Sequence, residues 1–164
     1  MCIRDSCSVW TQTKWDSLLQ RLGPDPLNGD PPDRMIARIR ARKTAIGVLL
    51  MDQSIVAGIG NIFRAELLFR AGLSPERPGR DIPVAVLEAL YKDAAVLMRA
   101  AMEDRRIVTT RGTDRPHGEG EAHDEEAHYV YRRQGRPCFL CDGPVLTRVV
   151  GGRNLFWCPG CQTA

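Results

Sequence analysis

No apolar run in the chain approaches the roughly 18 residues that a membrane-spanning helix requires, so no membrane segment is expected. The opening, MCIRDSC, holds neither a hydrophobic signal core nor an amphipathic targeting helix. No internal repeat recurs, which argues against a repeat architecture. A strong net charge is missing too: +3 over 164 residues does not by itself mark a nucleic-acid binder, so the distribution of charge must be read instead. What is present is ordinary. With 43% hydrophobic and 26% charged residues, the composition is that of a soluble protein of one or two small domains, long enough to bury a real core.

The charge is unevenly placed. Between residues 31 and 80 nine basic side chains (Arg34, Arg38, Arg40, Arg42, Lys43, Arg64, Arg70, Arg77 and Arg80) face four acids. Between residues 129 and 161 five Arg face one Asp. Residues 104–128 reverse the balance with seven acids against four Arg, a stretch that repels a phosphate backbone. For any single Arg among these, a solvated surface is the ordinary reading.

Apolar periodicity organises the chain. Trp15, Leu18, Leu19 and Leu22 recur at helical spacing over residues 14–22, and Gly23-Pro24 ends the run. After a Pro, Gly and Asp loop, Pro32-Asp33 opens a second helix with Met35, Ile36 and Ile39 on one face. Residues 46–51 form an apolar helical turn, and residues 52–60 are too rich in Gly and β-branched side chains to continue it. Asn61 starts a helix that ends at Gly72, with Ile62, Ala65, Leu68 and Phe69 inward and Arg64 and Arg70 toward solvent. A long helix from Asp81-Ile82-Pro83 to about Glu103 buries Val86, Leu87, Leu90, Ala94, Leu97, Met98 and Ala101. Residues 111–126, nearly free of apolar side chains, read as a mobile linker. Beyond them residues 129–131, 145–150 and 154–157 are β-rich, the last two forming a hairpin across Gly151-Gly152.

Four of the six cysteines form two CxxC pairs, Cys138/Cys141 and Cys158/Cys161, separated by 16 residues. A CxxC turn brings two sulfurs to one ion, and two such turns flanking a hairpin complete a closed tetrahedral zinc site. Free or disulfide-linked cysteines are the alternative. One structural zinc is expected, supplying most of the folding free energy of a ribbon with little core of its own. This cysteine usage points to a reducing cytoplasm.

The other motif is Gly58-Ile59-Gly60-Asn61 at the start of a helix. Free amides and the positive helix end there suit a phosphate, the two glycines allow close approach, and the Asn61 amide adds a donor. A plain helix capped by Asn61 accounts for the same residues. The neighbouring Lys43, Arg42 and Arg64 and the Arg-bearing ribbon favour the phosphate reading.

The order LGPDPL at residues 22–27, LLMDQSIVAGIGNIFRAELLF, then a four-cysteine ribbon resembles the carboxy-terminal part of the formamidopyrimidine-DNA glycosylase/endonuclease VIII family over about residues 15–162. The resemblance implies a mainly helical helix-two-turns-helix domain at residues 14–104, an acidic linker at 105–128 and a β-hairpin zinc finger at 129–164. Residues 1–13 read as a non-native or residual leader, because MCIRDS matches nothing in the family. By resemblance, Asn61 and Arg153 grip the phosphates flanking a flipped-out damaged nucleotide. Arg153 also stands at the hairpin tip, where a guanidinium fork could reach a phosphate. Gly58, Gly60 and Lys43 complete the expected DNA-binding set. The loop VTTRGTDRPHGEGEAH, in place of the purine-repair branch's Gly-Gly-Thr-rich loop, and the ending NLFWCPGCQ place the chain nearer the endonuclease VIII branch, whose substrates are oxidised pyrimidines.

Family chemistry uses an amino-terminal proline nucleophile and a following glutamate. Here the sequence opens Met1-Cys2-Ile3, so the amino-terminal β-sandwich catalytic domain is expected to be absent and the chain catalytically silent, with no catalytic residue of its own. His117, His123 and His128 fall in the acidic linker, where a solvated surface or an incidental metal contact is expected. The resemblance implies a bacterial, nucleoid-associated monomer that binds damaged double-stranded DNA in base-excision repair. The alternatives are a stand-alone, non-catalytic DNA-binding protein and a zinc-ribbon interaction protein that never meets DNA.

Overall fold

The computed structural model describes residues 11–163. Cys2, Cys7 and most of the segment read as a leader lie outside the described residues. Among the described residues, five α-helices precede a two-stranded antiparallel hairpin. Helix α1 spans Gln12–Arg21, starting before the expected residue 14 because the Thr11 side chain caps it by accepting from the Lys14 amide. Its apolar stripe stays open to solvent among the described residues: Trp15 and Leu19 are about half exposed.

Helices α2 (Asp33–Arg40), α3 (Ile46–Leu49), α4 (Asn61–Arg70) and α5 (Val84–Glu103) close on one apolar core. Met35, Ile36 and Ile39 of α2, Ile46 and Leu49 of α3, and Leu87, Leu90, Ala94, Leu97 and Met98 of α5 meet there as the helical periodicity requires. Val86 and Ala101, expected inside, pack at its margin. Helix α4 differs from expectation. Residues 63–69 are all buried, Arg64 and Glu66 included, while Ile62 is only half-buried.

The reason is a second core on the opposite side of α4. Phe63, Leu67 and Leu68 face the helices; Ala65 and Phe69 pack with Tyr129, Val130, Val145, Phe156, Cys138 and Cys158 of the ribbon. The ribbon hairpin pairs β1 (Leu146–Val150) with β2 (Arg153–Trp157), Val150 opposite Arg153, as its sequence pattern indicated. Gly151 and Gly152, with φ of 60° and 74°, form the two-residue turn, a backbone that L side chains resist.

Residues 129–131, expected to be β-rich, form no strand. Their three successive amides donate instead to the buried Glu66 carboxylate: Tyr129 to Oε2 at 2.8 Å, and Val130 and Tyr131 to Oε1 at 2.9 and 2.8 Å. The Thr109 hydroxyl also donates to Oε2. The segment read as a mobile linker is therefore pinned at both ends. Thr109 bonds the Ala127 carbonyl, the Thr110 hydroxyl donates to the Glu126 carbonyl at 2.7 Å, and the Tyr129 hydroxyl donates to Asp114. Arg70, expected in solvent, bridges α4 to α5 through a two-pronged pair with Asp93 at 2.6 and 2.7 Å and donates to the Thr109 carbonyl.

Candidate nucleic-acid interface and metal centre

The loop before α4 is built by two side chains. Asp52 accepts from the Ser54 amide and hydroxyl at 2.9 and 2.6 Å; the Ser54 hydroxyl holds its carboxyl below the usual carboxylate range, against a smaller opposing effect of burial. Gln53 spans the loop, donating to the Ile59 carbonyl and accepting from the Gly58 amide, both at 2.9 Å. The Gly58 amide is thus already used, contrary to the expectation of a free donor. Gly58 is required for its conformation, φ 80°, and because a Cβ would stand 2.6 Å from the Met98 methyl. Gly60 is different: a Cβ added there would meet nothing within 4 Å, so the protein's own packing does not demand glycine. The amides of Asn61, Ile62 and Phe63 follow in the first turn of α4, where no intrahelical acceptor exists for them.

Asn61 does not cap its helix through its side chain. Its Nδ2 donates to the Asn154 carbonyl of β2 at 3.0 Å, across 93 residues of sequence, and its Oδ1 accepts from Arg64. Arg64, one turn on, is almost wholly buried and donates to the carbonyls of Gly47 in α3 and Asn154 in β2, each at 3.2 Å. One guanidinium therefore ties α3, α4 and the hairpin together. Burial depresses its pKa, and the charge of Arg153 depresses it further.

Arg153, exposed at the first position of β2, lines a cleft of about 210 Å³ with Arg64, Val48, Met51, Val150 and Gly151. Asn61 does not line this cleft; its side chain is tied to the carbonyl of Asn154, the residue after Arg153, with Gly60 at the open approach to the same helix end. Lys43 is exposed on the turn before α3 and does not line this cleft. Sequence reasoning missed Arg64 and Glu66 as organisers. The available signal was two charged residues inside IFRAELLF, where apolar residues occur on every side and leave no polar face.

The four ribbon cysteines converge. Their sulfurs all lie within 4.8 Å of one another, with Cys138 to Cys161 at 3.8 Å and Cys141 to Cys158 at 3.4 Å. Four sulfurs at about 2.3 Å from a tetrahedral zinc stand roughly 3.8 Å apart, so the cluster has the dimensions of such a site. None is in a disulfide. The Gly143 amide lowers the Cys141 pKa, whereas burial raises those of Cys158 and Cys161, so a bound divalent cation would offset the cost of ionising the set. The ribbon is seated by Gln162, which accepts from the Cys158 amide at 2.8 Å and donates to the Leu73 carbonyl at 3.0 Å.

Residues 22–112 match the family model described as the formamidopyrimidine-DNA glycosylase H2TH domain. Endonuclease 8 1 of Mycobacterium tuberculosis (strain ATCC 25618 / H37Rv) is 43% identical over 148 residues, covering 89% of this chain and 55% of that protein. Formamidopyrimidine-DNA glycosylase of Geobacillus kaustophilus (strain HTA426) is 37% identical over 146 residues, 88% of this chain and 52% of the relative. Among solved structures, the MutM (Fpg) protein of Thermus thermophilus superposes with a TM-score of 0.73 at 35% identity, over 92% of this chain and 57% of that one. Lactococcus lactis Fpg, solved in complex with DNA containing an abasic site, superposes with a TM-score of 0.74 at 25% identity, over 93% and 56%. The chain spans about half the length of the curated relatives it matches. No helix among the described residues is long and apolar enough to cross a membrane.

Proposed function

Taking as its premise that the chain belongs to the formamidopyrimidine-DNA glycosylase/endonuclease VIII family, we propose that it is the DNA-gripping part of a bifunctional DNA glycosylase/AP lyase of base-excision repair. The substrate class is oxidised bases in double-stranded DNA, pyrimidines by the character of the loop and finger already described. One observation supports the reading: Asn61 and the buried Arg64 both donate to the carbonyl of Asn154, the residue after Arg153, and Arg64 lines one cleft with Arg153.

The chemistry of the grip follows from the donors. An Asn side-chain amide has two hydrogens, and only one is spent on Asn154, leaving the other for a phosphate oxygen. The first-turn amides of α4 and the helix dipole favour the same anion. Arg153 offers a planar fork suited to bidentate phosphate contact. Gly60 leaves room for that approach, Gly58 shapes the loop, and Lys43 adds long-range attraction rather than a contact in the cleft. These contacts position the duplex and carry no sequence information.

The four-cysteine cluster holds one structural zinc, which when bound supplies scaffold and leaves no open position for chemistry. Cys138, Cys141, Cys158 and Cys161 would be its ligands, and the ribbon so closed presents Arg153. The 164 residues are proposed to bind duplex DNA as a monomer. A salt titration of binding to duplexes carrying thymine glycol or an abasic site tests the reading. Affinity should fall as salt rises; salt-independent binding, or none, would remove it.

A further inference from the structure

A second cluster of metal-ligating side chains lies away from the ribbon, in the acidic segment. His117, His123 and Glu126 bring one ligand atom each to within 4.8 Å of one another. The local backbone accounts for this. Residues Asp124–Glu126 form a 3-10 turn that opens at His123, closed by the Glu126 amide on the His123 carbonyl at 2.9 Å. Side chains three apart in such a turn eclipse, so His123 and Glu126 share a side. His117 is then folded onto them: its amide and its Nδ1 approach Glu126 Oε1 at 3.0 and 2.6 Å, and its ring centre lies 4.6 Å from that of His123.

The carboxylate is the informative member. Glu126 is buried, its side chain only 3% exposed, whereas His117 remains open to solvent. A buried charge needs a partner or a metal. The nearby guanidinium groups are engaged elsewhere. Arg115 donates to the Thr110 hydroxyl, the Thr110 carbonyl and the Gly120 carbonyl, and Arg106 pairs with Asp124 at 2.9 Å. Among the described residues, Glu126 has no Arg or Lys partner; the His117 amide and the two imidazoles face it.

We propose that His117, His123 and Glu126 form a second metal site, distinct from the ribbon, that takes a first-row divalent transition ion. Two imidazoles and one carboxylate select zinc, nickel, copper or cobalt over magnesium and calcium. Three ligands leave the remaining positions to water, and two of the three side chains are exposed. The site is therefore weaker and more exchangeable than the four-thiolate cluster. Because the Glu126 carbonyl accepts from Thr110, whose neighbour Thr109 bonds Glu66, an ion here clamps residues 117–126 onto the framework that seats the ribbon.

The test uses the tag-free 164-residue chain with its ribbon loaded with zinc, titrated with cobalt(II) and followed by calorimetry and visible absorption. One equivalent of cobalt should bind without releasing zinc and without a thiolate-to-cobalt charge-transfer band, and magnesium should not compete. His117→Ala and His123→Ala should each weaken cobalt uptake by at least about tenfold, since losing even a supporting hydrogen bond to a ligand costs roughly ten- to a hundredfold. Both histidines are exposed, so these variants keep the fold, with circular dichroism as the check; they also keep all six cysteines, so uptake by thiols would persist in them. No uptake beyond the ribbon, or uptake unchanged in the double His117→Ala/His123→Ala variant, would overturn the proposal.

Discussion

Glu66→Gln is the substitution whose consequence the structure defines best, since it keeps shape and volume and changes only what the side chain can accept. Each carboxylate oxygen takes two donors: the Tyr131 and Val130 amides at Oε1, the Tyr129 amide and the Thr109 hydroxyl at Oε2. A Gln side chain has one oxygen, so whichever way it turns, its NH2 group faces at least one buried N–H. If the NH2 takes the Oε2 side, the Thr109 hydroxyl can rotate to accept, but the Tyr129 amide is stranded. A stranded buried donor costs about 1–3 kcal/mol, and the charge-assisted bonds that remain are weakened as well, so a loss of roughly 2–4 kcal/mol is expected. For a chain of this length that lowers the melting temperature by roughly 5–15 °C. Thermal unfolding followed by far-ultraviolet circular dichroism measures it, with Thr109→Val as the partner variant that removes only one donor. A Glu66→Gln melt within about 2 °C of the parent, a margin set by roughly half a kcal/mol, would show that the carboxylate does not hold residues 129–131 in place.

Metal analysis of the desalted protein should find one tightly retained zinc, and a strong chelator should unfold the ribbon while the helical signal persists; a folded ribbon without metal would contradict the site. Asn61→Ala should weaken duplex binding by roughly two- to tenfold and Arg153→Ala by roughly ten- to a hundredfold, in line with neutral and charge-assisted hydrogen bonds. Arg153→Ala should also reduce the slope of log affinity against log salt by about one, and both losses should be independent of sequence. Parent-like salt titrations with unchanged circular dichroism would refute the grip. Arg64→Met, which removes the Arg64 donor from the Gly47 carbonyl and leaves the Asn154 carbonyl with Asn61, should cost roughly 1–3 kcal/mol of stability and also weaken DNA binding while folded. Stability loss with full DNA affinity would mean that the hairpin keeps its place without that tie.

Local signals carried much of this architecture. Helical periodicity located α2 and α5, the Gly151-Gly152 pair located the hairpin turn, and cysteine spacing located the sulfur cluster, because each depends on residues near one another in sequence. The errors share a different cause. Arg64 and Arg70 read as solvent-facing because single-helix patterning assumes one buried face, and α4 has two. Residues 129–131 carry β-forming side chains, yet their backbone hydrogen bonds go to a carboxylate 63 to 65 positions away, a competitor that no local propensity reports. The same long-range bond turned a segment with the composition of a linker into one fixed at Thr109, Thr110 and Glu126.

In the proposed reading, helix α4 is what makes the glycine-turn motif and the four-cysteine ribbon one DNA-facing surface. Its first residue, Asn61, stands at the helix end, its fourth, Arg64, reaches the hairpin carbonyl beside Arg153, and its sixth, Glu66, fixes the chain entering the ribbon. A helix advances about 1.5 Å per residue with little play, so these attachments transmit the position of Asn61 to Arg153 with the stiffness of a single element. Two phosphate donors can grip one backbone only if their separation is held in register with it, because a fraction of an ångström of slack weakens a charge-assisted hydrogen bond. In the proposed reading, the zinc and Glu66 do the same task from opposite ends of the ribbon. The sulfur cluster fixes the hairpin internally, and the carboxylate fixes the ribbon to the helix that carries the other donor. Burying an Arg and a Glu within one short helix costs desolvation that apolar packing would avoid, and the return is a set geometry between Asn61 and Arg153 rather than added stability.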